Sequence, residues 1–276
     1  MANIFPASAG NIPGLPAMQV QRTGFIDGKP GFVTSFSGRR SGNSFNASGQ
    51  TDVVEFVLNN NRIPLLAGNQ SIEIISTSAS DSALGSGVRT VELVYLDAAY
   101  NLQKTTVTLN GILAVSVQKD GASVTPQAIW WMHTLTAGTG LTAAGNIILR
   151  IAGAGAELEQ ITSGGNMSLS ARCAVPLGYD AYIPSFFGSA VSALHDFRFR
   201  ATVSKLDVPG ISSKTILEGI YNFQGVLSVR EGDNAMRDMG YLRLPEKTRI
   251  KISTIAGAAT AQCDASFPAL FVKRNT

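Results

Sequence analysis

From Thr51 onward no stretch of this chain sustains a helical period. Strand-length apolar blocks alternate instead with turn chemistry. Val53 to Leu58 precedes an Asn59-Asn60-Asn61 turn, and Arg62 to Leu66 follows it. In Ser71 to Ser76, Ile72 and Ile74 alternate with Glu73. Val88 to Leu96 and Lys104 to Leu109 flank a turn at Asp97-Ala-Ala-Tyr100-Asn101, the clearest hairpin in the sequence. Asn110-Gly111 is a strong short-hairpin signal and predicts that Gly111 to Gln118 pairs back on the preceding strand. Ile129 to Leu135, Asn146 to Ala152, Met167 to Val175, Ala181 to Phe187 and Asp196 to Val203 continue the pattern. Gly219 to Val229, Tyr241 to Leu244, Arg249 to Thr254 and Ser266 to Lys273 close it. Helical candidates are few: Glu157 to Gln160 is too short, and Ser189 to Leu194 allows a single turn. Many short strands at this spacing, with 28 glycines to supply turns, predict an all-β chain built as a β-sandwich or jelly roll.

Residues up to Gln50 read differently. Asn11-Ile-Pro-Gly-Leu-Pro16 and the Ser/Gly/Asn-rich stretch from Phe36 to Gln50 lack periodicity, while Gln19 to Phe36 accommodates one or two short strands around Asp27-Gly28. A weakly structured segment of that length is too long for an ordinary loop. The expected organisation is therefore an extended arm over 1–50 and a β-sandwich domain over 51–276, which two packed β modules dividing near 155–165 would also satisfy. Phe25, Phe32, Phe36 and Phe45 give the arm apolar side chains to bury on a partner, and Arg39-Arg40 gives it a cationic pair. Charged residues make up only 15% of the chain against 45% hydrophobic. About 25% charged is usual, so part of the surface is expected to face other protein, with a trimer of the chain as the expected self-association.

Composition also bears on function class. The net charge of +3 is far below what nucleic-acid binding alone demands, and no apolar run approaches the roughly 18 residues of a membrane-spanning helix. Met1-Ala-Asn-Ile-Phe-Pro6 lacks the basic start and apolar stretch of a signal peptide, so synthesis in a cytoplasm is expected. The tripeptides Asn46-Ala-Ser48 and Asn166-Met-Ser168 are then coincidental glycosylation matches. Cys173 and Cys263 follow no metal or redox spacing and read as small buried residues, with a long-range disulfide as the lesser alternative. Acid–base chemistry has little to draw on. His133 alternates with apolar neighbours as a strand-face residue would, and His195 and Asp196 point to opposite faces of a strand. Gly85-Ser-Gly87 and Gly138-Thr-Gly140 lack the Lys-Ser/Thr of a phosphate loop and read as turns. No catalytic, cofactor or metal residue is assigned, and no enzymatic activity is expected. Trp130-Trp131 is the one unusual aromatic element. Burial of both rings is the first expectation; an exposed ring would be an interface anchor ahead of a sugar platform.

Three segments carry a resemblance. The first holds Gly87-Val-Arg-Thr-Val91, Leu96-Asp-Ala-Ala-Tyr-Asn101 and Thr106-Val-Thr-Leu-Asn-Gly111; the second is Ala174-Val-Pro-Leu-Gly-Tyr-Asp-Ala-Tyr182; the third is Leu244-Pro-Glu-Lys-Thr-Arg-Ile-Lys251 followed by Ala265-Ser-Phe267. Together they resemble segments of uncharacterised β-rich virion structural proteins of tailed phages, especially aquatic and cyanobacterial ones. The resemblance implies a virion component and no catalytic residues. With the arm and the low charge, it leads to the expectation of a minor capsid, cement or decoration subunit that binds its own copies and other virion proteins, the major capsid protein foremost. A tail, neck or baseplate component is the alternative, and a virion protein binding host glycan the next. The candidate interface residues are Phe25, Phe32, Phe36, Arg39, Arg40, Phe45, Trp130 and Trp131.

Overall fold

Gly31–Gly42 has the composition of an edge strand: glycines at both ends, Val33, Ser35, Ser37 and Arg39 on one side, Phe32, Thr34 and Phe36 on the other. In the computed structural model, which describes residues 31–42, 51–53, 66–192, 195–203, 227–229, 234–256 and 261–274, it is strand β1. The following strands are β2 (Thr51–Asp52), β3 (Ile72–Ser76), β4 (Val88–Leu96), β5 (Leu102–Thr108), β6 (Val115–Ser116), β7 (Gln118–Lys119), β8 (Ala122–Ser123) and β9 (Ala128–Ala137). Then come β10 (Ile147–Ile151), β11 (Glu157–Ile161), β12 (Arg172–Ala174), β13 (Tyr179–Ser192), β14 (His195–Val203), β15 (Leu227–Val229), β16 (Asn234–Leu244), β17 (Thr248–Ala256) and β18 (Ala261–Lys273). The fold is all-β, and no helix among the described residues is long and apolar enough to cross a membrane.

Two sheets of four strands make the first sandwich, one in the order β1-β18-β13-β16 and the other β12-β17-β14-β15, with β2 also paired to β17. Thr51 and Asp52 lie opposite Thr254 and Ser253, and Arg172, Cys173 and Ala174 continue the same row opposite Lys251, Ile250 and Arg249. The chain thus leaves a single strand position at Val53 and re-enters it at Ala171. The join is sealed by Ala171 N–H donating to Val53 O at 3.0 Å, while Val53 N–H donates to Ile252 O at 3.1 Å and Ile252 N–H to Ala171 O at 2.8 Å. Counted as one position, β2 and β12 complete eight. Their sheet order is 1-8-3-6 over 2-7-4-5, the paired Greek keys of a jelly roll.

The excursion forms a second sandwich. A sheet β11-β10-β3-β6 faces a sheet β5-β4-β9, and Ile72, Ile74, Val91, Leu93, Met132, Ile147, Leu149 and Leu158 fill the space between them. Strand β4 is rich in branched and aromatic residues, as a strand with both faces covered demands. Val91, Leu93 and Tyr95 enter the inner core while Val94 and Leu96 reach the jelly-roll core. The β4–β5 hairpin matches expectation: Leu96 pairs Leu102, and Asp97 Oδ1 accepts from the Ala99 and Asn101 amides at 2.9 Å each.

Several expectations need correction. The stretch 31–42 is not arm: it pairs residue for residue with β18 from Gly31↔Val272 to Gly42↔Ala261, and Phe36 is 2% exposed. Its partner strand lies over two hundred residues away, so nothing local announces the pairing. Residues 1–30 and 43–50 of the expected arm lie outside the described residues, as do most of Val53–Leu58, Arg62–Leu66 and Gly219–Val229. Gly111 does adopt a positive φ of 63°. Yet the chain beyond it does not return to β5. Gly111 N–H donates to Asp81 O, Ser76 N–H donates to Gly111 O, and β6 pairs with β3 in the facing sheet. Only Arg172–Ala174 of the expected Met167–Val175 strand is regular, and Ser189–Ser192 is extended as the end of β13 rather than a helical turn.

At Gly38 the backbone of β1 passes close to the facing sheet. A Cβ there would stand 2.0 Å from Val53 O and 2.6 Å from Ala171 N, on the join itself. Gly38→Ala should therefore lower the unfolding free energy by at least about 1–3 kcal/mol, the usual overpacking cost, and Phe36→Ala by about 3–5 kcal/mol. Exposed Val33 on the same strand is the control, and Val33→Ala should stay within about 0.5 kcal/mol. Urea unfolding of the three variants checks this; an unaffected Phe36→Ala would return β1 to the status of an arm.

Candidate interaction surface

Opposite residues on β1 and β18 place Phe32 and Phe36. Phe36 stacks on Phe267 at 5.3 Å between ring centroids and meets Trp130 edge-on at 5.3 Å. Phe32 stacks on Phe271 at 5.0 Å, half-buried against the same core. The two tryptophans both face the jelly-roll core, 5.5 Å apart, although consecutive strand residues ordinarily face opposite ways. A β-bulge explains it: Val94 pairs Trp131 and Tyr95 pairs Ile129, so Trp130 is the extra residue and is turned inward. Trp130 is 2% exposed and donates its Nε1–H to Ala174 O at 2.9 Å, tying the inserted sandwich to β12.

Phe36 and Trp130 are consequently core residues and cannot serve as surface anchors; Trp131 and Phe32 pack behind them. Arg39 is exposed and pairs with Asp264 at 2.8 Å on the outer face of β1 and β18. The Arg40 backbone lies opposite Cys263, and its side chain lies outside the described residues together with Phe25 and Phe45.

Among the described residues, the thiols and the enclosed carboxylates pack or pair within the fold. Cys173 and Cys263 are buried in the jelly-roll core as thiols rather than a disulfide, and burial pushes the Cys173 thiol well above its ordinary range. His133 is half-buried on β9, its Nε2 3.9 Å from Glu92 Oε1. The side chains of His195 and Asp196 lie outside the described residues. Among the described residues no three His, Cys, Asp or Glu side chains gather as a metal site. The buried carboxylates each meet several donors. Glu159 takes Ser170 Oγ–H at 2.7 Å and the Arg172 guanidinium at 2.8 Å, bridging β11 to β12. Asp180 pairs with Arg243 at 2.7 Å and Arg274 at 2.8 Å. Burial would raise the Glu73 carboxyl, but the Ala154 amide, Arg150 and the Gly153 amide outweigh it and hold the group below the usual range.

Asp81 is, like Glu159, without exposed surface. Its Oδ1 accepts from the amides of Val88 and Ala144 at 2.8 and 2.9 Å; its Oδ2 accepts from the Gly145 amide at 2.9 Å and Ser76 Oγ–H at 2.7 Å. Around this knot three loops converge at one end of the inserted sandwich. Segment 77–87 lies in the middle. Ala83 N–H donates to Leu109 O on one side, and Gly138 and Gly140 N–H donate to Gly87 O and Ser86 O on the other. The tips carry Leu84, 94% exposed, Leu141, 71%, and Ile112 and Leu113, 60% each.

These four residues are the surface that the strand reading passed over. A signal was present: residues 105–118 and 134–149 contain no Asp, Glu, Lys or Arg, and 74–88 contain only Asp81. Runs so free of charge, interrupted by glycine turns, are unusual at a solvated loop end.

No family model matches the chain, and no curated protein is significantly similar to it. Two solved structures of infectious bursal disease virus are similar at a low level. The Gx strain structure has a TM-score of 0.24 and 8% identity, covering 91% of this chain and 77% of that one. The Gt strain structure has a TM-score of 0.23 and 9% identity, covering 92% and 78%. Likeness of that order carries no weight for fold or function.

Removing the knot has a definite expected cost. Asp81→Ala leaves three buried amides and a hydroxyl without their acceptor, which should destabilise the chain by about 3–5 kcal/mol. Amide exchange at Val88, Ala144 and Gly145 should accelerate first, measured by hydrogen–deuterium exchange. Unchanged protection at these three amides would show that the loops are ordered without the carboxylate.

Proposed function

We propose that this chain is a structural subunit of a virus particle, a jelly roll that works by packing against its own copies and against neighbouring virion proteins. One observation carries the reading: the double-Greek-key sheet order encloses an interior filled with side chains. Jelly rolls serve in capsids and also in lectins and cupins, and fold alone does not choose among them. A ligand-binding version needs a hollow lined by a few convergent polar groups. Here Phe36, Trp130, Phe186, Phe199, Phe267 and Phe271 occupy the space between the sheets, with centroid spacings of 5.1 to 5.9 Å along the chain of contacts Phe271–Trp130–Phe36–Phe267–Phe199–Phe186. That leaves the outside of the molecule as the working surface.

The sequence resemblance to tailed-phage virion proteins supports the setting, and the sparse charge supports burial of the flanks. The finer reading is a minor capsid, cement or decoration subunit seated on the major capsid protein. A tail, neck or baseplate component has the same chemistry and is the second reading.

Purified particles from a culture producing this protein should contain it, detected by mass spectrometry. Gel densitometry should then give hundreds of copies per particle for a decoration subunit, or a dozen or fewer for a tail or neck component. Its absence from purified particles would overturn the proposal.

A further inference from the structure

The jelly-roll sheet β1-β18-β13-β16 ends in two edge strands of different character. At β16 a further strand is obstructed. Ile183 lies opposite Leu242 and Ser185 opposite Asp238, so Met239, Gly240 and Tyr241 bulge out against Pro184 alone. Gly240 and Tyr241 adopt φ of 58° and 56°, and Asp238 Oδ1 accepts from the Gly240 amide at 2.8 Å. Such a bulge turns an edge away from further pairing. Strand β1 runs beside β18 for twelve residues without a register shift, and β18 is its one strand partner among the described residues. The direction of its backbone groups follows from Pro268, which lies opposite Ser35 and has no N–H. Strand β13 leaves its register with β18 where Pro268 stands, between Tyr182↔Leu270 and Phe187↔Ser266. The missing donor faces that gap, and Ser35 turns its own N–H and C=O away from β18. By alternation Gly31, Val33 and Ser37 do the same.

We infer that β1 is the edge at which this chain joins a second copy of itself, the two β1 strands pairing antiparallel about a two-fold axis through Thr34. A row of outward donors and acceptors at strand spacing is complementary to another extended strand. The sequence of β1 selects its own copy. Two-fold pairing sets a strand against its own reverse, and Phe32-Val-Thr-Ser-Phe36 places an aromatic at each end of a segment centred on Thr34. Phe32 of one copy then stands beside Phe36 of the other, and Val33 beside Ser35, each pair occurring twice. The aromatic pair lies on the inner face, where Phe32 stacks on Phe271 at 5.0 Å and remains only half-buried. Thr34 meets its own counterpart, a favourable cross-strand pair, as are two aromatics. The outward-bonding residues also coincide, Gly31 with Ser37 and Val33 with Ser35, so each outward N–H and C=O gains a partner. The inference deepens the assembly reading above and rests on it for its biological setting.

The test uses the full chain and two double variants. Val33 and Ser35 are both exposed on the outer face of β1, so neither variant should disturb folding. A β-type far-ultraviolet spectrum and an unchanged melting temperature would verify that. In Val33→Lys/Ser35→Lys the proposed register sets lysine against lysine; in Val33→Lys/Ser35→Glu it sets lysine against glutamate. In sedimentation velocity the wild type should dimerise. The first variant should weaken dimerisation by about tenfold or more, and the second should retain it. Hydrogen exchange at the Val33 and Ser35 amides should slow as wild-type concentration rises. Dimerisation left intact by the first variant would overturn the β1 contact while leaving the virion reading standing. Equal loss in both variants would overturn the register and the two-fold with it. A monomeric wild type would overturn the inference outright. Protection of these amides in that monomer, lost on removing residues 1–30, would assign the edge to the chain's own preceding segment instead. The expected pattern in a protein absent from purified particles would sustain the contact and sink the virion reading alone.

Discussion

The rest of the architecture depends on the join at which Ala171 N–H donates to Val53 O while both residues bond to Ile252. It closes an excursion whose two ends re-form one β-strand position beside β17. Closing a longer loop costs only logarithmically more entropy, so a whole sandwich can be threaded into a strand provided its ends meet side by side. The geometry at the join is correspondingly tight. Gly38 approaches so closely that no side chain fits, and Glu159 with Arg172 bridges the last inserted strand to the resumed one. Burying that ion pair is a poor source of stability. Its effect is on register, because a slip of one residue would leave a carboxylate in the core without its partner.

The inserted sandwich is also a working part of the jelly-roll core. Trp130, Val94, Leu96 and Tyr100 belong to the same buried cluster as Phe267 and Phe271. Arg249 of β17 reaches into the inserted module, donating from Nη2 to Leu66 O and Gln127 Oε1 at 2.8 Å and to the Tyr100 hydroxyl at 3.2 Å. Shared apolar burial and convergent donors make the two sandwiches cooperative partners. Cutting between them would expose an indole and several aliphatic faces on both sides.

Local pattern was enough to find most of this framework. Ile72 and Ile74, the Asp97 turn, β10 and β17 stand where alternation places them, because each buries one face against a core and turns the other outward. What was not legible depends on distant partners. Phe36 looked like an arm anchor because its ring partners Phe267 and Trp130 are remote in sequence. The same-facing tryptophans needed a bulge defined by the register with β4, which no periodicity in β9 encodes. Asn110-Gly111 was a genuine positive-φ turn, but its amide found Asp81 O instead of the preceding strand. The nesting was invisible because residues 51–53 and 171–174 are each too short to read as one strand.

The exposed leucines at the end of the inserted sandwich stand in charge-free runs, and such a run becomes informative only when the fold shows where its residues lie. Leucines in charge-free runs are what a buried strand would show, yet of those in 105–118 and 134–149 only Leu109 and Leu149 are interior, while Leu113, Leu135 and Leu141 are exposed. Leu84, Ile112, Leu113 and Leu141 differ only in lying on turns that the Asp81 knot fixes outside the sheets. A buried carboxylate is costly unless it is fully paired, and Asp81 meets four donors at once. The exchange leaves the three loops ordered in one geometry, their backbone freedom already spent in folding.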